Sequence, residues 1–381
     1  MEKIYSKQNS FVKIQTWLKE SSETILKKIK LVLNEKNLSK LSKNHKSIIN
    51  FVKKDLFKNG TKGRPRFQLS PNVIKEIQLL NDDEIARYLV HRYRYEIFPQ
   101  INMLDDYPPY LQIEPTSICN YRCVFCFQTN NYFNKRSNGF MGRMTLKTFK
   151  TVIDQAENNI EFISLASRGE PLTCPNIVEM LEYTRNKFLN LKINTNASVL
   201  TERIAHAILQ NGIRTLVFSA DAADDKLYSK LRVNGKLSKV LSNVKLFKKV
   251  RDLHYSKAKI ITRVSGVKVS SEQNFEEMEN FWGDFVDQVA FVDYCPWENI
   301  YVQKINSLKT PCSELWRRMY VWWDGKVNPC EADYQSHLTT GFLKDGSLSD
   351  HWKSSQYQKI REAHIKLKRK NIDPCTRCTV I

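Results

Sequence analysis

The sequence predicts an α/β protein: a partial (β/α)6 TIM-like barrel with an N-terminal helical extension and a small C-terminal α+β module. Three observations predict this fold. From residue 110, short apolar runs alternate with amphipathic stretches. The first 70 residues are instead rich in lysine, and the segment after residue 310 combines a turn signal with four cysteines. Hydrophobic residues at 41% and charged residues at 26% exclude a largely disordered chain.

The N-terminal extension, residues 1–105, is the basic part of the chain. The formal net charge is +20, and residues 1–70 hold fifteen Lys and two Arg against four Glu and one Asp, a net charge of +12. Apolar residues at helical spacing predict one or two amphipathic helices over residues 11–57, and residues 72–100 are predicted to be further helix.

This basic segment favours an anionic partner. A membrane surface, an acidic carrier or polysaccharide intermediate, and nucleic acid all stay open, beside a solvated helical hairpin without any partner. The nucleic-acid option is disfavoured because no recognised binding motif accompanies the lysines. No signal-peptide core and no apolar run of roughly 18 residues is found, so we expect a cytoplasmic protein with peripheral membrane association as an option.

The barrel is predicted over residues 106–305 by β-α alternation, which is typical of a parallel sheet covered by helices. Six strands with five helices favour a curved or partly closed barrel over a flat sheet. Ligands of such folds bind at the C-terminal ends of the strands. The predicted strands are 110–114, 161–166, 190–195, 215–220, 259–264 and 287–293, and the predicted helices are 145–157, 176–188, 201–211, 237–251 and 275–284.

The C-terminal module is predicted over residues 306–381. Two apolar runs flank Asp324-Gly325, a dipeptide that favours the tight turn of a β-hairpin. A basic helix is predicted at about 354–370, and the chain ends in Cys375-Thr376-Arg377-Cys378.

The strongest chemical signal is a loop of three cysteines directly after the first barrel strand. Cys119, Cys123 and Cys126 are spaced C-x3-C-x2-C. Thiols stay reduced in the cytoplasm, and three soft ligands in a short loop suit an iron–sulfur cluster. A cubane with four irons would keep one iron open to a small molecule. A zinc knuckle that lacks its fourth ligand is the alternative.

A second group of cysteines lies in the C-terminal module, spaced Cys312-x17-Cys330-x44-Cys375-x2-Cys378. Four thiolates can ligate every iron of a second [4Fe–4S] cluster, or they can hold a structural zinc ion. The spacing alone leaves both options open.

The three-cysteine loop resembles the signature of the radical S-adenosylmethionine (SAM) enzymes. The resemblance implies that Cys119, Cys123 and Cys126 hold a [4Fe–4S] cluster whose open iron is chelated by the amino and carboxylate groups of SAM. In that family one electron cleaves SAM to methionine and a 5′-deoxyadenosyl radical, which abstracts hydrogen from the substrate. It further implies an electron donor such as flavodoxin or ferredoxin.

A second segment, Ser167-Arg168-Gly169-Glu170-Pro171, resembles the Gly-Gly-Glu-Pro segment of that family, which implies that Gly169, Glu170 and Pro171 bind the methionyl amino group of SAM. Arg168 stands at the first glycine position. We therefore expect either a strained loop there, because arginine tolerates positive φ poorly, or a cation that meets an anionic substrate.

Three further positions match the family's SAM site. Phe125 matches the aromatic residue near the adenine, Ser219 a ribose contact, and Arg263 the arginine that pairs with the SAM carboxylate. An ordinary strand arginine with a structural partner is the alternative for Arg263. Asn194, Thr195 and Asn196 end the third strand, where they either line the pocket or serve as plain turn residues.

The C-terminal module resembles the SPASM/twitch extensions of radical SAM enzymes, because a hairpin carries Cys330 and a helix precedes the terminal C-x2-C. This resemblance favours a single auxiliary [4Fe–4S] cluster over zinc. The spacing is especially similar to the twitch domain of 2-deoxy-scyllo-inosamine dehydrogenase, a radical SAM enzyme that oxidises an aminocyclitol alcohol to a ketone.

The resemblance implies an oxidoreductase that oxidises an alcohol of a sugar-like or aminocyclitol-like metabolite, with the auxiliary cluster as electron acceptor. Two other radical SAM reactions stay open: maturation of a peptide substrate, and sugar epimerisation with Cys295 or Cys174 as hydrogen donor. A zinc-stabilised protein that binds nucleic acid or a membrane surface is the non-enzymatic alternative.

A dehydrogenation needs a base or a hydrogen-bond partner for the substrate hydroxyl. Asp221, Glu331 and Asp333 are the candidates, and each has a structural or solvated carboxylate as its alternative. The other polar and aromatic residues expected near the barrel mouth are Glu114, Gln128, Tyr294, Trp297 and Tyr334.

Overall fold

The computed structural model describes residues 4, 11–16, 21–39, 41–58, 60 and 63–381. The chain forms two compact units, one of residues 16–105 and one that comprises residues 106–381 together with the chain up to Gln15. The second unit is not divided further, so a separate domain from residue 306 stays a prediction.

The unit of residues 16–105 is helical because apolar side chains recur at helical spacing and serines begin the helices. Ser21, Ser42 and Ser70 each accept a hydrogen bond from a backbone N–H of the first turn. Ile25 and Ile29 of the first helix are fully buried. The helices are α1 (Ser22–Val32), α2 (Glu35–Ser39), α3 (Lys43–Phe57), α4 (Pro71–Gln78) and α5 (Asp82–Glu96).

The prediction of helix from residue 11 was wrong at its start. Residues Phe11–Thr16 form strand β1, in keeping with the β-branched residues at every second position of Phe-Val-Lys-Ile-Gln-Thr. Trp17 and Leu18, which belonged to the predicted helical pattern, lie outside the described residues.

Many lysines of α1 to α3 are exposed, including Lys27, Lys30, Lys36, Lys43 and Lys46. The anionic partner inferred from their charge stays a prediction. None of the helices in the described part of the chain is both long and apolar enough to cross a membrane.

The strands that follow β1 are β2 (Tyr110–Ile113), β3 (Arg122–Cys123), β4 (Phe162–Leu165), β5 (Asn190–Thr195), β6 (Thr215–Ser219), β7 (Arg232–Val233), β8 (Ile261–Lys268), β9 (Gln288–Asp293), β10 (Arg318–Val321), β11 (Lys326–Asn328) and β12 (Gly341–Phe342). A ten-stranded sheet runs through the second unit in the order β1-β9-β8-β6-β5-β4-β2-β10-β11-β12. Its six central strands, β2, β4, β5, β6, β8 and β9, are parallel. The six predicted barrel strands are thereby confirmed.

Helices alternate with these strands, which confirms the partial α/β barrel with its N-terminal helices and C-terminal region. Strands β2 and β4 are buried along their whole length, as expected for a sheet covered on both faces. The sequence analysis missed α10, which leads into β7. The helices are α6 (Asn131–Asn134), α7 (Leu146–Ala156), α8 (Ile177–Tyr183), α9 (Glu202–Gln210), α10 (Asp225–Leu231), α11 (Leu237–His254), α12 (Phe275–Gly283), α13 (Glu314–Arg317), α14 (Leu348–Lys353) and α15 (Ser355–Ile365).

The C-terminal region continues the barrel sheet. Strand β10 lies parallel to β2 and pairs with β11 as the predicted hairpin, whose turn places Gly325 at φ 82°. The predicted basic helix over 354–370 is shorter than expected, because α15 ends at Ile365 and Leu367 adopts a positive φ of 57°. This geometry brings residues after 310 next to the first barrel strand.

Candidate active site

The three-cysteine loop follows β2 and is fixed by hydrogen bonds to its backbone carbonyl oxygens. Arg122 donates to the carbonyl oxygens of Cys119 and Tyr121, at 2.8 Å each. Cys123 lies in β3, which pairs with β7, and its carbonyl oxygen accepts from the Cys126 N–H. The loop thus holds three free cysteines at one end of the sheet.

The three thiols lie in surroundings that oppose a bare thiolate. Burial, with Glu170 as the second cause, raises the pKa of Cys119 to about 12. Burial also raises the pKa of Cys123 and of Cys126. Buried thiolates of this kind need a positive partner, and a metal centre supplies one because coordination deprotonates a thiol.

A cavity of about 310 Å³ lies beside the loop. Its walls combine the cysteine loop, the ends of β4, β5, β6 and β9, and the segments that follow these strands. The lining residues are Cys119, Tyr121, Cys123, Phe125, Cys126, Phe127, Gln128, Ala166, Ser167, Arg168, Gly169, Glu170, Asn194, Thr195, Asn196, Ser219, Arg232, Val267, Val292, Asp293, Tyr294, Cys295, Trp297 and Glu331.

Gly169 lies too close to the cysteine loop to carry a side chain. A Cβ atom there would stand 2.3 Å from the carbonyl oxygen of Thr116 and 2.7 Å from that of Ile118. The positive φ of this segment is at Ser167, with 133°, and not at Arg168. The expectation of a strained arginine was therefore wrong.

Arg168 is held by a buried ion pair. Its guanidinium donates to both carboxylate oxygens of Glu114, at 2.6 and 2.7 Å, and to the carbonyl oxygen of Tyr334 at 2.9 Å. The guanidinium also stacks on Trp322, 4.3 Å from the ring centre. These contacts occupy the cation that we expected to meet an anionic substrate, and they explain why Glu114 is buried.

Glu170 is the carboxylate of the cavity with the most hydrogen bonds. It accepts from the hydroxyl of Thr195 at 2.6 Å, from the backbone N–H of Asn196 at 2.6 Å and from that of Leu172 at 3.1 Å. Burial nevertheless raises the pKa of Glu170 to about 7. Pro171 is buried and is absent from the residues that line the cavity.

The structure brings a different arginine to the cavity than the sequence analysis expected. Arg263 lies in the first half of β8 and donates from Nε and Nη2 to Gln288, at 2.8 and 2.6 Å, so it is not a lining residue. Arg232 lines the cavity, pairs with buried Asp221 at 2.6 Å, and donates from Nη1 to Cys123 Sγ at 3.7 Å. Its guanidinium also lies 5.7 Å from the Phe125 ring.

Three buried oxygen atoms on the cavity wall have no hydrogen-bond partner among the described residues. They are Ser167 Oγ, Gln128 Oε1 and Asn194 Oδ1. Buried polar atoms are normally satisfied, so this wall fits a polar ligand rather than an apolar one. Three thiols, a carboxylate and an arginine beside these atoms fit a cluster with bound SAM, which has both an amino and a carboxylate group.

Only one of the three candidate bases lines the cavity. Asp221 is engaged by Arg232 and by the Val267 N–H at 2.7 Å. Asp333 is buried and accepts from the Tyr301 hydroxyl at 2.7 Å and from two backbone N–H groups. Glu331 is half-buried and lines the cavity, where Oε1 accepts from Gln112 Nε2 at 3.0 Å.

The two single cysteines differ in position. Cys295 follows β9, is half-buried and lines the cavity. Cys174 is 2% exposed and does not line it. Tyr294 also lines the cavity, and its hydroxyl donates to Glu298.

The second cysteine group surrounds a smaller cavity of its own. Cys312, Cys330, Cys375 and Cys378 all line it. Burial is the main cause that raises the pKa of Cys330, followed by the charges of the other three cysteines. Yet no three His, Cys, Asp or Glu side chains in the described ranges are close enough to hold a single metal ion.

Buried basic residues hold this second site together. Arg369 donates to the carbonyl oxygens of Cys375 and Cys378, at 3.3 and 2.8 Å, and to that of Thr310 at 2.9 Å. The backbone N–H of Cys312 donates to His364 Nδ1 at 3.1 Å.

Two side chains, Trp297 and Glu331, line both cavities. Glu331 therefore lies between the first cavity and the cavity of the four cysteines. Sequence reasoning named both residues but had no signal for this shared position.

Comparison with known protein families agrees with this geometry. The model of the Radical SAM superfamily matches residues 113–281, and the model of the iron-sulfur cluster-binding SPASM domain matches residues 312–379. An AdoMet-dependent heme synthase of Methanosarcina barkeri is 27% identical over 143 residues, which cover 37% of this chain and 40% of the relative. The chain thus matches less than half of that relative.

Solved structures resemble the chain at the level of the fold. SuiB of Streptococcus suis bound to its precursor peptide SuiA has a TM-score of 0.52 and 18% identity, over 84% of this chain and 79% of that chain. BtrN in complex with AdoMet and 2-DOIA has a TM-score of 0.49 and 19% identity, over 72% of this chain and 94% of that chain.

Proposed function

Because the chain belongs to the radical SAM superfamily and carries a C-terminal SPASM domain, we propose that it oxidises an alcohol carbon of a sugar-like or aminocyclitol-like metabolite. The cofactors are the SAM-coordinating [4Fe–4S] cluster, SAM and an auxiliary iron–sulfur cluster. When bound, these groups supply a hydrogen-abstracting radical and an acceptor for the electron that an alcohol oxidation releases.

The residues of the first cavity divide the task of holding the cofactors. Cys119, Cys123 and Cys126 are the proposed cluster ligands. Glu170 is held in place by three hydrogen bonds and is the proposed acceptor for the SAM amino group. Arg232 replaces Arg263 as the proposed partner of the SAM carboxylate, because Arg232 lines the cavity and Arg263 does not.

Phe125 and Ser219 also line the cavity and keep their proposed roles beside the adenine and the ribose. The unpartnered oxygens of Gln128 and Asn194 add acceptors for hydroxyl or amino groups of SAM or of the substrate. This polar wall supports a substrate rich in hydrogen-bond donors.

The observation that carries the proposal is the position of Glu331 on the wall shared by the two cavities. A carboxylate there accepts the proton of a substrate hydroxyl, which makes the carbon-centred radical a far stronger reductant. The electron then has to leave toward an acceptor, and the four-cysteine site lies on the other side of the same wall. Gln112 holds the carboxylate through Oε1, which leaves Oε2 for the substrate.

A second candidate function rests on Cys295. Its thiol lines the cavity, so it is placed to return a hydrogen atom to a substrate radical, as an epimerase requires. The same role for Cys174 is not supported, because that residue is buried away from the cavity.

The test uses the anaerobically reconstituted protein with SAM, dithionite and separate pools of sugars, aminocyclitols and short peptides. We expect an aminocyclitol or sugar to yield one carbonyl product for each 5′-deoxyadenosine formed. The Glu331→Gln variant should bind SAM and cleave it without substrate as the wild type does, yet lose at least about 100-fold in carbonyl formation.

The other outcomes contradict the proposal. A modified peptide without any carbonyl product from the sugar pools would indicate peptide maturation. Solvent deuterium at a retained C–H centre, lost in Cys295→Ser, would indicate epimerisation. Full carbonyl formation by Glu331→Gln would remove the proposed proton acceptor.

A further inference from the structure

His364 of α15 is a fully buried histidine that makes one hydrogen bond with a proposed cluster ligand. Its Nδ1 accepts from the backbone N–H of Cys312 at 3.1 Å. A ring nitrogen that accepts a hydrogen bond carries no proton, so this ring is in a neutral form. A neutral ring that accepts at Nδ1 carries its single proton on Nε2.

The Nε2–H of His364 has nowhere to donate among the described residues. Nε2 is buried and without a hydrogen-bond partner there. A buried N–H donor without an acceptor is destabilising, so the fold favours an acceptor at this position. His364 is also one of the residues that line the four-cysteine cavity, so an acceptor in that cavity would satisfy it.

We infer that His364 donates a hydrogen bond from Nε2 to a sulfur atom of the auxiliary cluster and thereby sets the reduction potential of that cluster. The inference rests on the proposed assignment of Cys312, Cys330, Cys375 and Cys378 as its ligands. His364 is a positioning and tuning residue, since it is proposed to touch neither SAM nor the substrate.

The direction of the effect follows from charge. Reduction adds an electron to the cluster, and an N–H group that points at a sulfur stabilises the added negative charge. Hydrogen bonds to the sulfurs are among the main factors that set such potentials. Loss of the donor therefore makes the auxiliary cluster harder to reduce and a weaker electron acceptor.

Two matched variants separate the donor from the acceptor of the imidazole. His364→Asn keeps an oxygen near the Nδ1 position for the Cys312 N–H but removes the donor. His364→Gln places an amide N–H near the Nε2 position. In an anaerobic redox titration monitored by electron paramagnetic resonance, we expect His364→Asn to weaken one-electron reduction about tenfold, which is about 59 mV, and His364→Gln to stay near the wild type.

The SAM-coordinating cluster serves as the internal control, and its potential should not move in either variant. An unchanged auxiliary potential in His364→Asn with full iron content would overturn the inference. Failure of the ligand assignment looks different: the wild type itself would then lack a second cluster signal and half of its iron.

A spectroscopic measurement covers the case in which both variants lose iron. Wild-type protein labelled with ¹⁵N-histidine should show a ¹⁵N coupling to the reduced auxiliary cluster in pulsed electron paramagnetic resonance. Absence of any such coupling in a sample that shows the second cluster signal would contradict the inference.

Discussion

The two cysteine sites of this chain differ in how they are built. Cys119, Cys123 and Cys126 come from one loop and border a cavity of about 310 Å³ whose wall has polar atoms without a hydrogen-bond partner in the described part of the chain. The four cysteines of the second site come from three separate segments of the chain and line a smaller cavity together with apolar, basic and acidic side chains, Glu314 and Glu331 among them.

This difference teaches what each site is for. Three ligands beside a polar cavity leave both a coordination position and a space for a small molecule. If all four cysteines are ligands, as proposed, they leave neither, and we expect the second site to serve electron transfer rather than substrate binding. Trp297 and Glu331, which line both cavities, mark where the two tasks meet.

The largest expected effect separates the two sites directly. The triple variant Cys119/Cys123/Cys126→Ala should lose half of the iron and all cleavage of SAM to 5′-deoxyadenosine. The quadruple variant Cys312/Cys330/Cys375/Cys378→Ala should also lose half of the iron but still cleave SAM, while carbonyl formation stops. Iron analysis and chromatography of 5′-deoxyadenosine check both. Cleavage by the triple variant would show that the loop is misassigned.

The three cysteines of the first site are easy to find in the sequence because they lie close together in it. A contiguous C-x3-C-x2-C loop after a strand needs no knowledge of the fold to be seen. The second site is dispersed over more than 60 residues, so spacing left zinc and a cluster equally open. Convergence of the four thiols is a tertiary property, which only the fold supplies.

The arginine proposed to pair with the SAM carboxylate shows what the sequence alone does not reveal. Arg263 lies in an apolar strand, but its distance from the C-terminal end of β8 is set by the strand register, which the sequence does not give. The register pairs Arg263 with Val217, two residues before Ser219 at the end of β6. Arg232 follows α10, a helix that the sequence analysis did not predict, and its approach to Cys123 depends on the pairing of β7 with β3. The turn at Asn234-Gly235 directly after it was the available signal.

The second largest effect concerns the contact between the cysteine loop and the segment of Glu170. Gly169→Ala places a methyl group 2.3 Å from the carbonyl oxygen of Thr116, which is backbone and has to shift. We expect a loss of about 1–3 kcal/mol in stability and at least about tenfold weaker SAM binding. Calorimetric titration with SAM checks this.

Gly283→Ala is the matched control, since a Cβ there meets nothing within 4 Å. It should bind SAM as the wild type does. Equal SAM affinity in Gly169→Ala and Gly283→Ala would show that the loop tolerates the displacement.

A smaller, pH-dependent effect is expected from Glu170. Burial raises the pKa of Glu170 from 4.5 to about 7. Between pH 4.5 and pH 7, Glu170 of the cluster-free folded protein therefore keeps a proton that the same residue of the unfolded chain has released. Stability therefore falls as pH rises through this window, by about 3 kcal/mol in total for this group. Glu170→Gln should remove that part of the pH dependence in denaturant titrations of the cluster-free protein. Glu272→Gln, at an exposed ion pair with Lys230, should leave it in place.

The smallest effects distinguish the two single cysteines. Cys174→Ser should leave SAM cleavage and carbonyl formation unchanged, because Cys174 is buried outside the cavity. Cys295→Ser removes a thiol from the cavity wall but keeps a similar volume, so an oxidation that transfers its electron across the Glu331 wall should lose less than about threefold. Rates of carbonyl formation measured side by side check both variants. A large loss confined to Cys295→Ser would mean that this thiol donates a hydrogen atom to the substrate radical. The reaction would then be completed in the first cavity, without electron transfer to the four-cysteine site.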